Sequence, residues 1–374
     1  MTRFSILLPT RNGGEFVRDA MSSVLTQEGD FELVVGDNAN TDETVDILRT
    51  YLSDRRVRVV RSESVVPVTD NWMRTMRAAN GDYLLMIGDD DLLLPGFFSR
   101  ADALLRRHCD PEVLTFNGFS YVAPGSFAPG AAAMWSPRHF NMRELAAERE
   151  LPLDERRAIV RDMFRFRVRF PLNMQLTLFS RPAAAAVPGD LFRAPFPDHF
   201  ALNSLLLRAL RLVVADERLL VVGVSPKSFG HYFYGGHQRS GVDYLGAGSA
   251  FPGLIEGSEL LNSMHAWLLE LRRTYPELRD VQVDRWAYLI RQANYWLRQY
   301  EFGVITAATL IHRARALRPA EFATVLIPMI AYRAARIVRD RARGRRRTYI
   351  SDSWSSLEAT SAPSIREFAE HLPA

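Results

Sequence analysis

The first 97 residues repeat one pattern: a short apolar run, a polar loop, then apolar residues at helical spacing. The runs are Phe4–Leu8, Phe31–Val35, Val57–Arg61 and Tyr83–Ile87. An unbroken apolar run of about five residues is what a strand needs when both its faces are covered. Between the runs, Phe16, Val17, Ala20, Met21, Val24 and Leu25 mark a helix over 15–26. Asn40 and Glu43 stand as a capping box would, predicting a helix over about 41–52, and Asn71–Ala79 reads as a third. Strands alternating with single helices specify βαβ units, so the predicted fold class is α/β with a mostly parallel sheet flanked by helices.

The pattern loosens further on. Residues 97–108 predict a helix and Val113–Phe116 a strand, followed by a Pro-, Gly- and Ala-rich loop at 123–133. The charged stretch 139–165 predicts helix. Leu176–Ser180 and Leu219–Val224 predict strands, with a helix near 199–210 between them. From about 254 to 340 the periodicity is helical throughout. The expected division is a main domain over 1–250, split into halves 1–97 and 98–250, a helical region over 251–345 and a mobile tail over 346–374, with 364–371 as a candidate short helix.

Charge is unevenly placed. The chain carries 47 Lys and Arg against 43 Asp and Glu, and Lys227 is its only lysine. Residues 333–347 hold eight Arg and one Asp, so the other residues together are slightly acidic. That distribution argues against a nucleic-acid partner, which calls for a basic face on the folded body. The basic stretch is instead a candidate contact with an anionic membrane surface, or a homo-oligomer contact through the C-terminal helices. A single cysteine, Cys109, allows neither an internal disulfide nor a Cys-based zinc site. The N-terminal apolar run is too short for a signal peptide, and no stretch reaches the length of a spanning helix. The expected location is therefore cytoplasmic, with peripheral attachment to the inner face of the membrane as an extension of that reading.

In open α/β sheets, ligands bind at the carboxyl ends of the strands. Three of the four early strands end in polar loops: Pro9-Thr10-Arg11-Asn12, Asp37-Asn38 and Asp89-Asp90-Asp91. Neither a dinucleotide glycine fingerprint nor a P-loop is present. Three consecutive carboxylates after a buried strand repel one another, and a hard divalent cation removes that cost. Mn²⁺ or Mg²⁺ takes carboxylate oxygens and bridges to phosphate, so the cluster reads as a metal–diphosphate site. A solvated acidic turn ahead of Pro95 is the plainer alternative.

The series FSILLPTRN, ELVVGDNANTDET and NWMRTMRAANGDYLLMIGDDDLLLPG resembles the nucleotide-sugar half of GT-A-fold glycosyltransferases of the family 2 type, over about residues 3–97. FRAPFPDHFALNSLLLRAL resembles, more weakly, the segment that carries the catalytic aspartate of that family. The resemblance implies an inverting enzyme that uses a nucleoside-diphosphate sugar, UDP-linked in most relatives, a saccharide, lipid-linked or other hydroxyl acceptor, and Mn²⁺ or Mg²⁺. It implies that Pro9, Thr10 and Asn12 line the nucleotide pocket and that Asp37, with Asn38 beside it, accepts a hydrogen bond from the base. Asp89, Asp90 and Asp91 stand at the DXD position, with Asp91 and Asp89 as the expected metal ligands. Asp198 stands at the general base. The chain departs from the family pattern at Gly88, where many relatives carry an acid, and at Arg11, where many carry an aromatic that a guanidinium replaces by stacking or phosphate contact.

Some residues carry two readings. Asp198 precedes a helix and is also placed to cap it. Asn71 is a candidate donor contact or a cap, and Trp72 reads as packing. His231, in a Gly- and aromatic-rich loop, is a candidate diphosphate contact or a structural histidine. Lys227 reads as a surface lysine or a phosphate contact. Trp267, Trp286, Tyr288, Tyr295 and Trp296 recur at helical spacing and read as core, with an acceptor platform as the alternative. Two other functions compete with sugar transfer: nucleotidyl transfer on a related α/β fold, and non-catalytic binding of sugars or membrane surfaces.

Overall fold

The computed structural model describes residues 2–127, 130–228, 250–344, 347–349, 352, 354 and 356–372. The four early runs form strands β1 (Phe4–Thr10), β2 (Phe31–Asp37), β3 (Val57–Arg61) and β4 (Tyr83–Met86). Between them lie helices α1 (Phe16–Leu25), α2 (Thr44–Thr50) and α3 (Val68–Ala78). β1 pairs in parallel with β2 on one side and β4 on the other, and β3 adds in parallel to β2. β1 and β2 outlast their apolar runs by two residues each, and the ladder carries Pro9 opposite Gly36 and Thr10 opposite Asp37. The polar rim residues are thus held in register by the buried strands behind them.

The second half reverses direction. A short strand β5 (Leu92–Leu93) leads to α4 (Phe97–Arg107) and the long buried β6 (Val113–Val122). Then come β7 (Met134–Ser136), β8 (Arg149–Glu150), α5 (Leu153–Met163), β9 (Thr177–Ser180), α6 (Arg181–Ala185), α7 (Pro197–Arg208) and β10 (Leu212–Val224). β9 runs antiparallel between β4 and β6, while β10 runs parallel to β6 and antiparallel to β5 and β8. The α/β class holds. The early strands are parallel as expected, and the sheet as a whole is mixed. The 139–165 stretch is helical only over α5 and one short turn at Arg143–Leu145; between them Arg149 and Glu150 are drawn into the sheet against Val214 and Val213. Nor is Asn40 a helix cap: α2 begins at Thr44, and Asn40 is turned back onto the strand ends.

The C-terminal region is helical, as its periodicity predicts: α8 (Glu259–Thr274), α9 (Arg285–Glu301), α10 (Ala307–Ala314) and α11 (Ile327–Ala342). Trp267, Tyr288, Tyr295 and Trp296 are buried core residues, whereas Trp286 is 50% exposed. Among the described residues of the tail, the candidate short helix is present and a short strand precedes it. β11 (Glu358–Ala359) pairs with β7, and α12 (Ile365–Glu370) buries Ile365 and Phe368 against Phe119 and Tyr121. Two apolar anchors suffice to dock this six-residue helix on an existing surface. No helix among the described residues is long and apolar enough to cross a membrane.

Part of the basic stretch is not free charge. Arg333 is buried and donates through Nε to Glu301 at 2.8 Å and through Nη1 to Asn294 at 2.9 Å. Arg336 pairs with Asp352 at 2.8 Å, and Arg347 pairs with Glu301 at 2.8 Å and Asp340 at 2.7 Å. Arg345 and Arg346 lie outside the described residues. Burial alone would raise the Asp352 carboxyl, but Arg347, Arg333 and Arg336 more than offset it and hold it below its ordinary value. This contribution to stability is present above the ordinary carboxylate range and lost as pH falls through it. Arg333→Ala strands two acids in a poorly solvated place, and about 3 kcal/mol of stability should go with it, read as a lower midpoint in urea at neutral pH.

Candidate active site

β1, β2 and β4 bring their three polar ends to one rim of the sheet. The first two loops are laced together by side chains. Asn12 has a left-handed backbone with φ of 55°, and its amide donates to Asn40 Oδ1 at 2.5 Å. Asn12 Oδ1 accepts from Thr41 N at 2.9 Å, and Arg11 donates to the carbonyl of Ala39 at 2.6 Å. Asp37 sits behind this lacing. Its Oδ1 accepts from the backbone and side-chain nitrogens of Asn40, each at 2.8 Å, and its Oδ2 from Arg61 at 2.9 Å. Asp37 is buried and holds the loop in shape, and its neighbour Asn38 lines the cavity beside it.

A cavity of about 200 Å³ opens beside these loops. Its floor is Pro9, Thr10 and Arg11, and Asn38 and Asn71 supply polar walls. Val65, Val66 and Trp72 close it with apolar surface. Asn38 is fixed by a two-point bond to the backbone of Val66, donating at 2.9 Å and accepting at 2.8 Å. Asn71 donates to the carbonyl of Gly36 at 3.1 Å, tying α3 to the end of β2. A slot with flat apolar walls, amide dipoles and one guanidinium suits a planar polar ring such as a nucleobase. Trp72 belongs to that wall as well as to the packing, because the edge of its ring meets Phe192 at 5.2 Å.

The three aspartates after β4 are not equivalent. Asp89 is the part-exposed member, and its Oδ2 accepts from Thr10 Oγ1 at 2.6 Å. Asp90 accepts from the backbone N–H of Ser225 at 3.1 Å. Asp91 is almost wholly buried, with one oxygen bonded by the N–H of Gly88 at 2.6 Å and the other by the N–H of Gly223 at 2.9 Å. Burial pushes all three carboxyls up, Asp91 to about 6 and Asp90 well above its ordinary value. For Asp90, the charges of Asp91 and Asp89 add to the effect of burial. The two backbone bonds of Asp91 pin the loop to β10, and each Asp91 oxygen keeps a further lone pair that a cation can use.

Among the described residues, no three His, Cys, Asp or Glu side chains converge as a protein-built metal cage. The donors present are the crowded carboxylate oxygens of Asp89, Asp90 and Asp91, with the Lys227 ammonium the positive charge that acts on Asp89. That set fits a hard divalent cation held by one or two carboxylates, with phosphate oxygens and water completing its shell.

Gly223 is a site residue that the sequence reading missed. A Cβ built there would overlap the carbonyl oxygen of Asp90, so only glycine lets β10 approach the aspartate loop. An isolated glycine in an apolar strand (VVGV) is the signal that could have found it. Gly223→Ala should cost about 1–3 kcal/mol and shift the aspartate loop, seen as a lower melting temperature together with weaker donor binding. Lys227 is a half-exposed surface lysine that reaches the same region. Its Nζ donates to the carbonyl of Asn12 at 2.9 Å and lies 3.4 Å from Asp42, placing the only lysine over the first loop. His231 lies outside the described residues.

Asp198 stands in the first turn of α7, part-exposed, with Oδ1 accepting from the N–H of His199 at 3.1 Å. Burial by the surrounding apolar segment pushes its carboxyl to about 7, against the opposing pull of nearby backbone N–H groups. His199 is neutral, because burial lowers it to about 3, and its ring stacks on Phe196 at 4.7 Å. The segment is tied to the cavity through Phe192, which packs on Trp72 and whose N–H lies 3.5 Å from Met73 Sδ.

Residues 5–138 match the family model for glycosyl transferase family 2, which bears out the resemblance read from the three motifs. The chain is 33% identical over 116 residues to a PGL/p-HBAD biosynthesis glycosyltransferase of Mycobacterium tuberculosis, covering 30% of this chain and 45% of that protein. It is 32% identical over 94 residues to the abequosyltransferase RfbV of Salmonella typhimurium, covering 24% of this chain and 28% of that one. The matches span less than half the length of these curated relatives. Among solved structures, S. aureus TarS residues 1–349 in complex with UDP-GlcNAc superposes with a TM-score of 0.52 at 16% identity, covering 84% of this chain and 80% of that one. That likeness confirms the fold.

Proposed function

We propose that this chain, whose residues 5–138 match glycosyl transferase family 2, is an inverting glycosyltransferase acting on a nucleoside-diphosphate sugar in glycoconjugate synthesis. The observation that carries the proposal is the cavity bounded by Pro9–Arg11 and Val65–Trp72. It shares Thr10 with the aspartate cluster, and Thr10 bonds Asp89. One residue thus joins a slot for a base to a cluster for a diphosphate. The base would lie between Arg11 and the Val65–Trp72 wall, read by Asn38 and Asn71. Mn²⁺ or Mg²⁺ held by Asp89 and Asp90 would neutralise charge on the departing diphosphate.

The acceptor hydroxyl attacks the anomeric carbon from the face opposite the diphosphate. A C–O bond to the acceptor forms as the bond to the phosphate oxygen breaks, so the configuration inverts. Asp198 takes the hydroxyl proton, and a carboxyl with a pKa near 7 is well matched to that step at neutral pH. A UDP-linked donor and a cytoplasmic site of action belong to the same reading.

The test is to incubate the protein with Mn²⁺ and UDP-, GDP- and dTDP-sugars without acceptor and to follow free nucleoside diphosphate. Slow release from one donor class, UDP first, is the expected result. Pyrophosphate release from a nucleoside triphosphate would replace the reading with nucleotidyl transfer. No release from any donor would overturn it.

A further inference from the structure

A second, larger cavity of about 480 Å³ lies away from the strand ends, between α9, α11 and the end of α5. Arg165, Arg167, Arg291 and Arg336 line it, and no acidic residue does. Arg336 is satisfied by Asp352. Arg165 reaches Asp162 only at 3.8 Å, and Asp162 already binds Arg169 at 2.8 Å. Arg167 and Arg291 have no carboxylate partner among the described residues. Crowding by the protein lowers Arg291, and the charge of Arg167 lowers it further. Two unpaired guanidiniums facing one space form a site that an anion relieves.

The rest of the lining is mainly apolar: Ala287, Ile290, Met329 and Tyr332, with Asn294 as the one amide, its oxygen accepting from Arg333. Of these, Ile290 and Tyr332 are 44% and 54% exposed, and Trp286, one turn before Ile290 on α9, is 50% exposed. A soluble anion gives no reason for this collar of exposed apolar side chains, whereas a bilayer surface uses both parts: aromatic and aliphatic groups enter the interface and guanidiniums meet the phosphates.

We propose that this α9–α11 face docks on an anionic phospholipid bilayer, with a headgroup phosphate seated between Arg167 and Arg291 and the Trp286, Ile290 and Tyr332 side chains in the interface. Charge complementarity selects this occupant over a second copy of the chain, because two copies would bring the same unpaired arginines together. The attachment differs from one through the 333–347 stretch, where Arg333, Arg336 and Arg347 are engaged by Glu301, Asp340 and Asp352.

The test is co-sedimentation of the full chain with phosphatidylcholine vesicles, plain or doped with phosphatidylglycerol, over a range of salt. Binding should require the anionic lipid and weaken as salt rises. Neutralising Arg167→Gln and Arg291→Gln should lower the partition coefficient by roughly fivefold per arginine. Trp286→Ser should weaken binding without changing its salt dependence, and melting temperatures should confirm that the variants fold. Three outcomes would overturn the proposal. These are no binding to doped vesicles at low salt, unchanged binding by the folded double variant, or a solution dimer that these substitutions split.

Discussion

Asp198→Asn is expected to lower kcat by about 10²- to 10⁴-fold while leaving donor affinity unchanged. The asparagine keeps the shape and the bond from the N–H of His199 but cannot take a proton. The pH behaviour sharpens the test. Burial pushes the Asp198 carboxyl to about 7, so the proton-accepting form grows as pH rises through neutrality, and kcat/KM should climb over that range and level off above it. Stability moves the opposite way. Because the folded pKa lies above the unfolded one, the native chain holds a proton that the unfolded chain has released between about pH 4 and 7, and stability falls as pH rises through that window. Removing the charge should therefore raise the melting temperature at pH 8 by about 2 °C or more. A variant both inactive and more stable identifies a group kept in place for chemistry. One that is inactive and less stable would mark Asp198 as a structural support of the first turn of α7, and full turnover would remove it from the mechanism.

The buried parallel strands were the most legible part of the sequence. β1, β2 and β4 are largely buried, so their residues read as mainly apolar runs, broken only by Ser5 and Glu32, and the polar residues after them fell at the rim. What escaped depends on contacts distant in sequence. β10 was read only over its apolar second half, because Asp216, Glu217 and Arg218 sit at a bulge where its pairing with β6 shifts register. Asn40 matched a local capping pattern, yet the demand of Asp37 for donors outweighed it. The docking of the tail on β7 and on Phe119 and Tyr121 likewise has no local signature. In the site, the aspartate cluster and the polar strand ends were readable as a group. The division of labour among them was not, because it is set by backbone N–H groups of Gly223 and Ser225, more than 130 residues away in sequence.

That division predicts opposite outcomes for neighbouring aspartates. Asp90→Asn should fold at least as well as the parent at neutral pH, since it removes a buried charge repelled by Asp91 and Asp89. Its activity should fall by about 10²- to 10³-fold, and added Mn²⁺ should no longer strengthen donor binding. Asp89→Asn should behave alike, with a smaller gain in stability because Asp89 is part-exposed and already bonded by Thr10. Asp91→Ala should fail differently. It leaves the N–H groups of Gly88 and Gly223 without their acceptor, at about 1–3 kcal/mol each, and frees the loop from β10. The loss then appears first in the melting temperature and in urea, with activity declining as a consequence. Calorimetric titration of Mn²⁺ in the presence of a nucleoside diphosphate separates the two classes. If folded Asp90→Asn still binds the ion and folded Asp91→Asn does not, the roles are exchanged, and Asp91 holds the ion with the lone pairs its backbone bonds leave free.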